Sequence, residues 1–200
     1  LLGGYILNFF GVSLGALRWL LQGANDAVAA QQVAGTLTAD MRTTIVVLLL
    51  DLYSGAALWA HAGDSRLYVL RAGQLLAATQ DHSRVQQLID AGELRPEDAS
   101  RHPDRNKIFS CLGGVVPPQI STGKETKLQV GDTVLLSTDG FWAQIPANLI
   151  GTLLRGKPIT ELLPALLGEA HRRAQGESDN LSVVAMTWEN QDDPAVADML

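Results

Sequence analysis

Apolar side chains at helical spacing occupy the first thirty residues of the chain. They recur at intervals of three and four positions: Ile6, Phe10, Leu14, Leu17, Leu21, Ala24 and Val28. This spacing places them on one face of a helix. Polar side chains such as Asn25 and Gln32 give the second half of this helix a solvent-exposed face. We therefore predict one long helix that ends near Gln32.

The same N-terminal region raises the question of a membrane span. The segment 1–21 is mostly apolar, and its length would just suffice to cross a bilayer. However, its four glycines and the internal Arg18, with no flanking basic cluster, argue against insertion. It also lacks the charged leader of a signal peptide. A buried core segment is the better interpretation.

Short runs rich in β-branched and aliphatic residues follow this helix. The predicted strands are 43–52, 57–62, 67–70 and 74–77, and later 128–130, 134–137 and 181–188. Short glycine-containing connections separate the first four, so these strands pair antiparallel rather than through crossover helices. Helices are expected from the N-cap Ser83 to Ala91, from Pro96, and over 159–174. The pattern predicts an α+β fold with antiparallel strands inside and helices outside.

Composition narrows the class of protein. Hydrophobic residues make up 46% of the 200 residues and charged residues 18%, as in a packed globular domain. A net charge of -6 and a pI near 5.1 argue against nucleic-acid binding, which normally needs a basic face. The single cysteine, Cys111, excludes an internal disulfide and is compatible with a reducing cytoplasm.

Three aspartates stand where predicted strands meet loops. Asp64 lies in HAGDSR, Asp139 in LLSTDGFW and Asp179 in ESDNLSVV. Converging carboxylates repel one another unless a cation joins them, and oxygen ligands suit Mg²⁺, Mn²⁺ or Ca²⁺ rather than zinc. Taken singly, each aspartate could instead be an ordinary turn residue.

Several motifs in fixed order give these aspartates a context. They are RTT (42–44), WAHAGDSRLYVLRAGQL (59–75), TQDHSRVQQLIDAG (79–92), GDTVLLSTDGFW (131–142) and SDNLSVV (178–184). In order and spacing they resemble the metal-dependent protein phosphatase family, the protein phosphatase 2C type, in its bacterial form. The resemblance implies an antiparallel β-sandwich flanked by helices in αββα layers. The catalytic domain would span 1–189, without the family's N-terminal strands, and 190–200 would be a tail.

The resemblance also implies a function, the hydrolysis of phosphoserine and phosphothreonine on proteins. Two Mn²⁺ or Mg²⁺ ions would be held by Asp139 and Asp179, and a third, weaker ion by Asp64 with Asp139. Two cations about 4 Å apart activate a water and bind the phosphoryl oxygens, so no catalytic residue beyond the metal ligands is expected. Phosphorylated proteins, and a serine/threonine kinase with its substrates, would be the partners in the cytoplasm.

The segment 84–112 resembles the mobile flap of bacterial family members. Its cations Arg101, Arg105 and Lys107 are candidates for phosphopeptide contact, although an ordinary solvated surface would have the same composition. His82, just before this segment, is expected to be a hydrogen-bonded structural residue rather than a general acid.

Some features depart from the family pattern. Arg42 replaces the glycine before the Thr-Thr pair, and no Asp-Gly-x-Gly-Gly motif is present in the 200 residues. Either a preceding piece carries that motif, or the protein has lost it and is a catalytically impaired module that binds a phosphoprotein or another partner.

Other phosphatase chemistries are excluded. A cysteine nucleophile needs an arginine six residues later to hold the phosphate, where this chain has Pro117 after Cys111. An aspartate nucleophile would need an Asp-x-Asp motif, which is absent.

Overall fold

The structure, a computed structural model, describes residues 4–8, 13–155, 157–174 and 180–189. In chain order the elements are β1 (Gly4–Asn8), α1 (Leu14–Ala30), β2 (Ile45–Leu50), β3 (Ala56–Ala62), β4 (Arg66–Arg71), β5 (Gln74–Ala78), α2 (Arg84–Asp90), a 3-10 helix (Pro96–Arg101), β6 (Ser121–Thr122), β7 (Thr126–Lys127), β8 (Thr133–Ser137), α3 (Asp139–Trp142), α4 (Ala147–Leu154), α5 (Ile159–Arg173) and β9 (Val183–Thr187).

The chain divides into two compact units. One comprises Leu1–Arg66 and Thr79–Thr126, and the other comprises Leu67–Ala78 and Lys127–Leu200. The first contains a sheet with the strand order β1-β2-β3-β6, and the second sheet has the order β5-β4-β8-β9. Each unit therefore has its own sheet, covered by its own helices.

Helix α1 covers the sheet of the first unit. Ser13 caps its N-terminus by accepting the amide of Ala16 on its hydroxyl at 3.3 Å. Leu17 and Leu21, four residues apart and therefore on one face, pack against strand residues. These strand residues are Val47, Leu49, Leu58 and Ala60. Alternation along β2 and β3 thus presents one apolar face to the apolar stripe of α1.

The second unit has its own apolar core. Its strands contribute Tyr68, Leu70 and Leu135. Helices α3 to α5 and the turn after α3 contribute Phe141, Ile145, Ile150, Ile159, Leu162, Leu166 and Ala170. The antiparallel β8–β9 pair runs in register from Thr133↔Thr187 to Ser137↔Val183. This pairing places the end of β8 opposite the start of β9.

Most predicted elements are confirmed, with ends that differ by at most two residues. Pairing of β2 with β3 and of β4 with β5 is antiparallel, as predicted, and the α+β class is confirmed. The predicted pairing of β3 with β4 is wrong, because the two strands belong to different sheets. Helices α3 and α4 were not predicted. No helix within the described residues has both the length and the apolar content that a bilayer crossing requires.

The assignment of Ile6 to the first helix is wrong. Gly4–Asn8 is a strand that pairs in parallel with β2, from Gly4↔Val46 to Asn8↔Leu50, and the helix begins at Leu14. A short apolar run fits a strand or a helix equally well, and here the backbone pairs with a neighbouring strand. Phe10, also assigned to that stripe, lies outside the described residues, as does the predicted tail 190–200.

The strand predicted at 128–130 is also absent. The Asp132 carboxylate accepts the amide of Gln129 at 2.8 Å, and the Asp132 amide donates to the Gln129 carbonyl at 2.9 Å. These bonds close a turn that uses the backbone groups a strand would need for its ladder.

Two helical glycines provide a test of this packing. An added Cβ at buried Gly151 in α4 would overlap the carbonyl oxygen of Gly73, whereas one at exposed Gly168 in α5 meets nothing within 4 Å. Gly151→Ala should lower the free energy of unfolding by about 1–3 kcal/mol. Gly168→Ala, the matched control, should raise it by about 0.5–1 kcal/mol. Urea unfolding measures both, and equal stabilisation by the two substitutions would contradict the close approach of α4 to the turn at Gly73.

Candidate functional site

The first candidate carboxylate lies in a three-residue turn. Gly63, Asp64 and Ser65 connect β3 to β4, and we call these residues the Asp64 turn. Gly63 has φ 109°, a region that favours glycine, and an added Cβ would overlap the side chain of Thr44. Asp64 itself is partly exposed. The turn therefore depends on glycine both for its backbone conformation and for its packing.

His82 holds the backbone of Gly63 from both sides. The Gly63 amide donates to Nδ1 of His82 at 3.2 Å, and the His82 amide donates to the Gly63 carbonyl at 3.0 Å. Because Nδ1 accepts a hydrogen bond, the neutral ring carries its proton on Nε2, which donates to the Ser121 hydroxyl at 2.9 Å. This is the structural role expected for His82.

The rest of the motif is held by other segments. The hydroxyls of Ser65 and Thr44 are 2.8 Å apart. Arg66 donates to both carboxylate oxygens of Asp81, from Nε at 2.7 Å and from Nη2 at 2.8 Å. Asp81 is buried, and such two-pronged, charge-assisted bonds are among the strongest in proteins. The residues on either side of Asp64 thus each have a fixed partner.

A second histidine stacks on His82. The ring centroids of His61 and His82 are 4.6 Å apart, with planes inclined by 20°. Nε2 of His61 donates to the Gln80 carbonyl at 2.8 Å, and Nδ1 is buried with no hydrogen-bond partner within the described residues. Burial, together with the repulsion that a protonated His61 would exert, lowers the pKa of His82 to about 4. Burial also lowers the pKa of His61, opposed by the Gln80 carbonyl and Asp81. Both rings are therefore neutral at pH 7.

The second candidate carboxylate follows strand β8. Asp139 is the first residue of α3, after the N-cap Thr138. Its Oδ1 accepts the Gly140 amide at 2.9 Å, and the residue is partly exposed. A carboxylate in this position lies at the end of a buried strand, which fixes the backbone behind it.

The Thr138 hydroxyl fixes the segment before β9 against the end of β8. It donates to the Asn180 carbonyl at 3.0 Å and accepts the Ser182 amide at 3.0 Å. The Thr138 amide also donates to the Ser182 carbonyl at 3.1 Å. Asn180, the residue after Asp179, is thereby held beside the residue before Asp139. Asp179 itself lies outside the described residues.

The donor chemistry at these positions fits a hard divalent ion. Asp64 and Asp139 both lie at strand ends, are partly exposed and offer only oxygen donors. Across the described ranges, which exclude Asp179, no group of three acidic, histidine or cysteine side chains could hold a metal ion. The assignment of Asp64, Asp139 and Asp179 as metal ligands therefore stays a prediction.

The predicted flap is closed at its base by backbone hydrogen bonds. The Arg84 amide donates to the Lys107 carbonyl at 2.8 Å, and the Phe109 amide donates to the His82 carbonyl at 2.9 Å. The three candidate cations Arg101, Arg105 and Lys107 are exposed. Nζ of Lys107 contacts the Asp104 carboxylate at 2.7 Å. The cations are thus accessible, and their contact with a phosphopeptide stays a prediction.

Sequence reasoning missed the supporting residues around these aspartates. All three supports lie in the quoted motifs: Thr44 in RTT, Asp81 in the DHS segment and Thr138 beside Asp139. Another missed pair is structural: Arg71 donates to Asp132 from Nε at 2.9 Å and from Nη2 at 2.7 Å. Asp132 precedes β8 and Asp139 follows it, so this pair lies at the other end of the strand.

Comparison with known proteins shows that the chain is similar to bacterial phosphatases. No protein-family model matches the chain. Protein phosphatase PhpP of Streptococcus pneumoniae is 32% identical over 155 residues, which cover 76% of this chain and 60% of that protein. The chain thus spans less than two thirds of the length of this curated relative.

Solved structures extend the likeness to the fold. The serine/threonine phosphatase PstP/Ppp of Mycobacterium tuberculosis is 32% identical with a TM-score of 0.75, covering 88% of this chain and 73% of that one. The PstP catalytic domain in complex with two manganese ions is 29% identical with a TM-score of 0.74, covering 91% and 74%. These likenesses confirm the predicted α+β fold class with flanking helices.

The histidine pair predicts a pH dependence of stability. Between the ordinary pKa of 6.5 and the folded value of about 4, the unfolded chain binds more protons at His82 than the folded chain does. Stability is therefore lost as pH falls through this range. His82→Asn, whose amide oxygen can still accept the Gly63 amide, should reduce the loss between pH 7 and pH 5 by about 2 kcal/mol.

Denaturant titrations at the two pH values measure this difference. Part of the dependence should persist because the pKa of His61 is lowered too. His171→Asn, at an exposed histidine, provides the matched control for the same substitution at the surface. An unchanged slope in His82→Asn would contradict the buried, neutral state of His82.

Proposed function

Because the chain belongs to the metal-dependent serine/threonine protein phosphatase family, of the protein phosphatase 2C type in its bacterial form, we propose that it hydrolyses phosphoserine and phosphothreonine on proteins. The observation that carries this proposal is the position of Asp139. It follows a buried strand, and Thr138 beside it holds the segment that comes directly after Asp179.

Asp139 and Asp179 are the proposed ligands of two Mn²⁺ or Mg²⁺ ions, and Asp64 is proposed to contribute to a third, weaker site. Such ions, when bound, would supply Lewis-acid activation of water and neutralise charge on the phosphoryl group. The two manganese ions of the solved PstP catalytic domain support the choice of metal. The partly exposed carboxylates of this chain provide the oxygen donors that these ions prefer.

The protein's own contribution is to hold these carboxylates in place. Hydrogen bonds of Thr138 fix the end of β8 against the segment before β9, and His82 with Thr44 fixes the Asp64 turn. A ligand held in position needs no reorganisation when charge develops in the transition state. No side chain is assigned the role of nucleophile or general acid.

Substrate binding is assigned to the exposed cations of the flap. Guanidinium groups such as those of Arg101 and Arg105 match phosphate and carboxylate geometry, so they suit a phosphorylated or acidic peptide. A serine/threonine kinase and its substrates are the proposed partners. The proposal places the reaction in the cytoplasm, supported by the single free cysteine, Cys111.

Asp139→Asn is the most direct variant for the proposed function. It retains the side-chain volume and removes the charge, so Mn²⁺-dependent phosphate release from a phosphothreonine peptide should fall by about 100-fold or more. Circular dichroism should show a retained fold. Asp40→Asn, at a largely exposed carboxylate, is the matched control and should stay near the rate of the unaltered chain.

Near-normal activity in Asp139→Asn would contradict the site assignment. A lack of any Mn²⁺-dependent phosphate release, both from the unaltered chain and from a chain extended by whatever segment precedes it in the gene, would contradict the proposed activity. It would favour the alternative of a phosphoprotein-binding module.

The flap cations predict a substrate-dependent effect. Combined replacement of Arg101, Arg105 and Lys107 by alanine should lower kcat/KM for a phosphopeptide by about ten-fold. Turnover of p-nitrophenyl phosphate, which has no peptide to bind, should change little.

A charge-matched control replaces three other exposed cations, Arg18, Lys124 and Lys157, by alanine. It should affect neither substrate strongly. Equal loss on both substrates in the flap variant would indicate a general structural effect and contradict the peptide contact.

A further inference from the structure

One residue connects the Asp64 turn with the base of the flap. The backbone amide and imidazole of His82 both contact Gly63, and its carbonyl accepts the amide of Phe109. Phe109 also lies against the imidazole, with ring centroids 5.6 Å apart. His82 therefore contacts both a neighbour of a candidate ligand and the end of the segment proposed to bind substrate.

We propose that His82 is a positioning residue for the divalent-cation site, which fixes the direction of the Asp64 carboxylate by holding the two peptide groups of Gly63. The inference rests on the proposed function. His82 contacts neither metal nor substrate in this account, and it acts only through the turn.

Peptide geometry explains why two bonds to Gly63 determine the position of Asp64. The Gly63 amide belongs to the peptide that joins Ala62 to Gly63, and the Gly63 carbonyl belongs to the peptide that joins Gly63 to Asp64. His82 bonds to both, at 3.2 and 3.0 Å. These peptides flank the φ and ψ angles of Gly63, the least restricted residue type. Without the bonds, the direction of the chain into Asp64 would be poorly defined.

The imidazole is itself held in one orientation. Ser121 accepts its Nε2 proton, and the rings of His61 and Phe109 pack against it. His82 is only 3% exposed. A side chain that merely filled this space would need no acceptor facing the Gly63 amide, and this difference separates a positioning role from packing.

Mn²⁺ binding to the full 200-residue chain, followed by calorimetry, tests the inference. His82→Leu fills the space without an acceptor and should weaken the Asp64-dependent Mn²⁺ site by about ten-fold, as supporting residues of metal sites typically do. His82→Asn should restore most of the affinity because its amide oxygen can accept the Gly63 amide. In an Asp64→Asn background, His82→Leu should cause no further loss.

A stability control separates loss of position from loss of fold. Arg71→Met breaks the ion pair with Asp132 at the end of β8 remote from Asp139, so it should lower Tm without weakening Mn²⁺ binding. If His82→Leu does not fold, Ser121→Ala, which removes only the Nε2 partner, takes its place and should weaken the same site.

Two results would overturn the inference alone. The first is that His82→Leu lowers the Mn²⁺ affinity equally in the unaltered chain and in the Asp64→Asn background. The second is that His82→Leu leaves the Mn²⁺ affinity unchanged. In both cases Asp139→Asn would still abolish phosphate release, so the proposed function would stand. If neither Asp64→Asn nor Asp139→Asn alters Mn²⁺ binding, the proposed function fails and the inference fails with it.

Discussion

A carboxylate at a strand end binds a cation best if the turn that carries it is fixed, because a ligand already in position needs no reorganisation. In this structure, hydrogen bonds hold the residues on either side of the candidate carboxylates. His82 holds Gly63 and Thr44 contacts Ser65 on the two sides of Asp64. At the end of β8, the hydroxyl of Thr138, the residue before Asp139, holds the backbone through hydrogen bonds to Asn180 and Ser182.

Buried ion pairs add to the rigidity of the same strands. Arg66 and Arg71, the first and last residues of β4, each bind a buried aspartate through two nitrogens, Asp81 and Asp132 respectively. Removing the arginine from such a pair is destabilising, because the charge of a buried aspartate is left unpaired. The arginine of the GDSR motif is thus structural.

Many helices and strands of this fold could be predicted because short sequence patterns indicate them directly. Short apolar runs separated by glycine-containing turns located β3, β4 and β5, and Ser83 correctly marked the start of α2. The segment Gly4–Asn8 was assigned wrongly because five residues do not distinguish the two periodicities, and its partner, β2, is about forty residues away in sequence. The prediction of a strand at 128–130 is wrong because the Asp132 carboxylate accepts the Gln129 amide, which a strand would use to pair with its neighbour.

The candidate aspartates could be located from motif order, whereas their supports could not. Gly63 and His82 are 19 residues apart, and Thr138 and Ser182 are 44 apart. Contacts of this kind between side chain and backbone leave no periodic signal. They become visible only when the strands are paired.

Paramagnetic broadening by Mn²⁺ tests the central claim most directly, since it locates the cation without relying on turnover. In ¹⁵N-labelled chain titrated with substoichiometric Mn²⁺, the amide signals of Asp64, Ser65, Asp139, Gly140 and Asn180 should broaden first. Signals near Arg71 and Asp132 should persist. Broadening that begins at other acidic segments, such as the one around Glu97 and Asp98, and spares Asp139 would contradict the claim that these strand ends hold the metal.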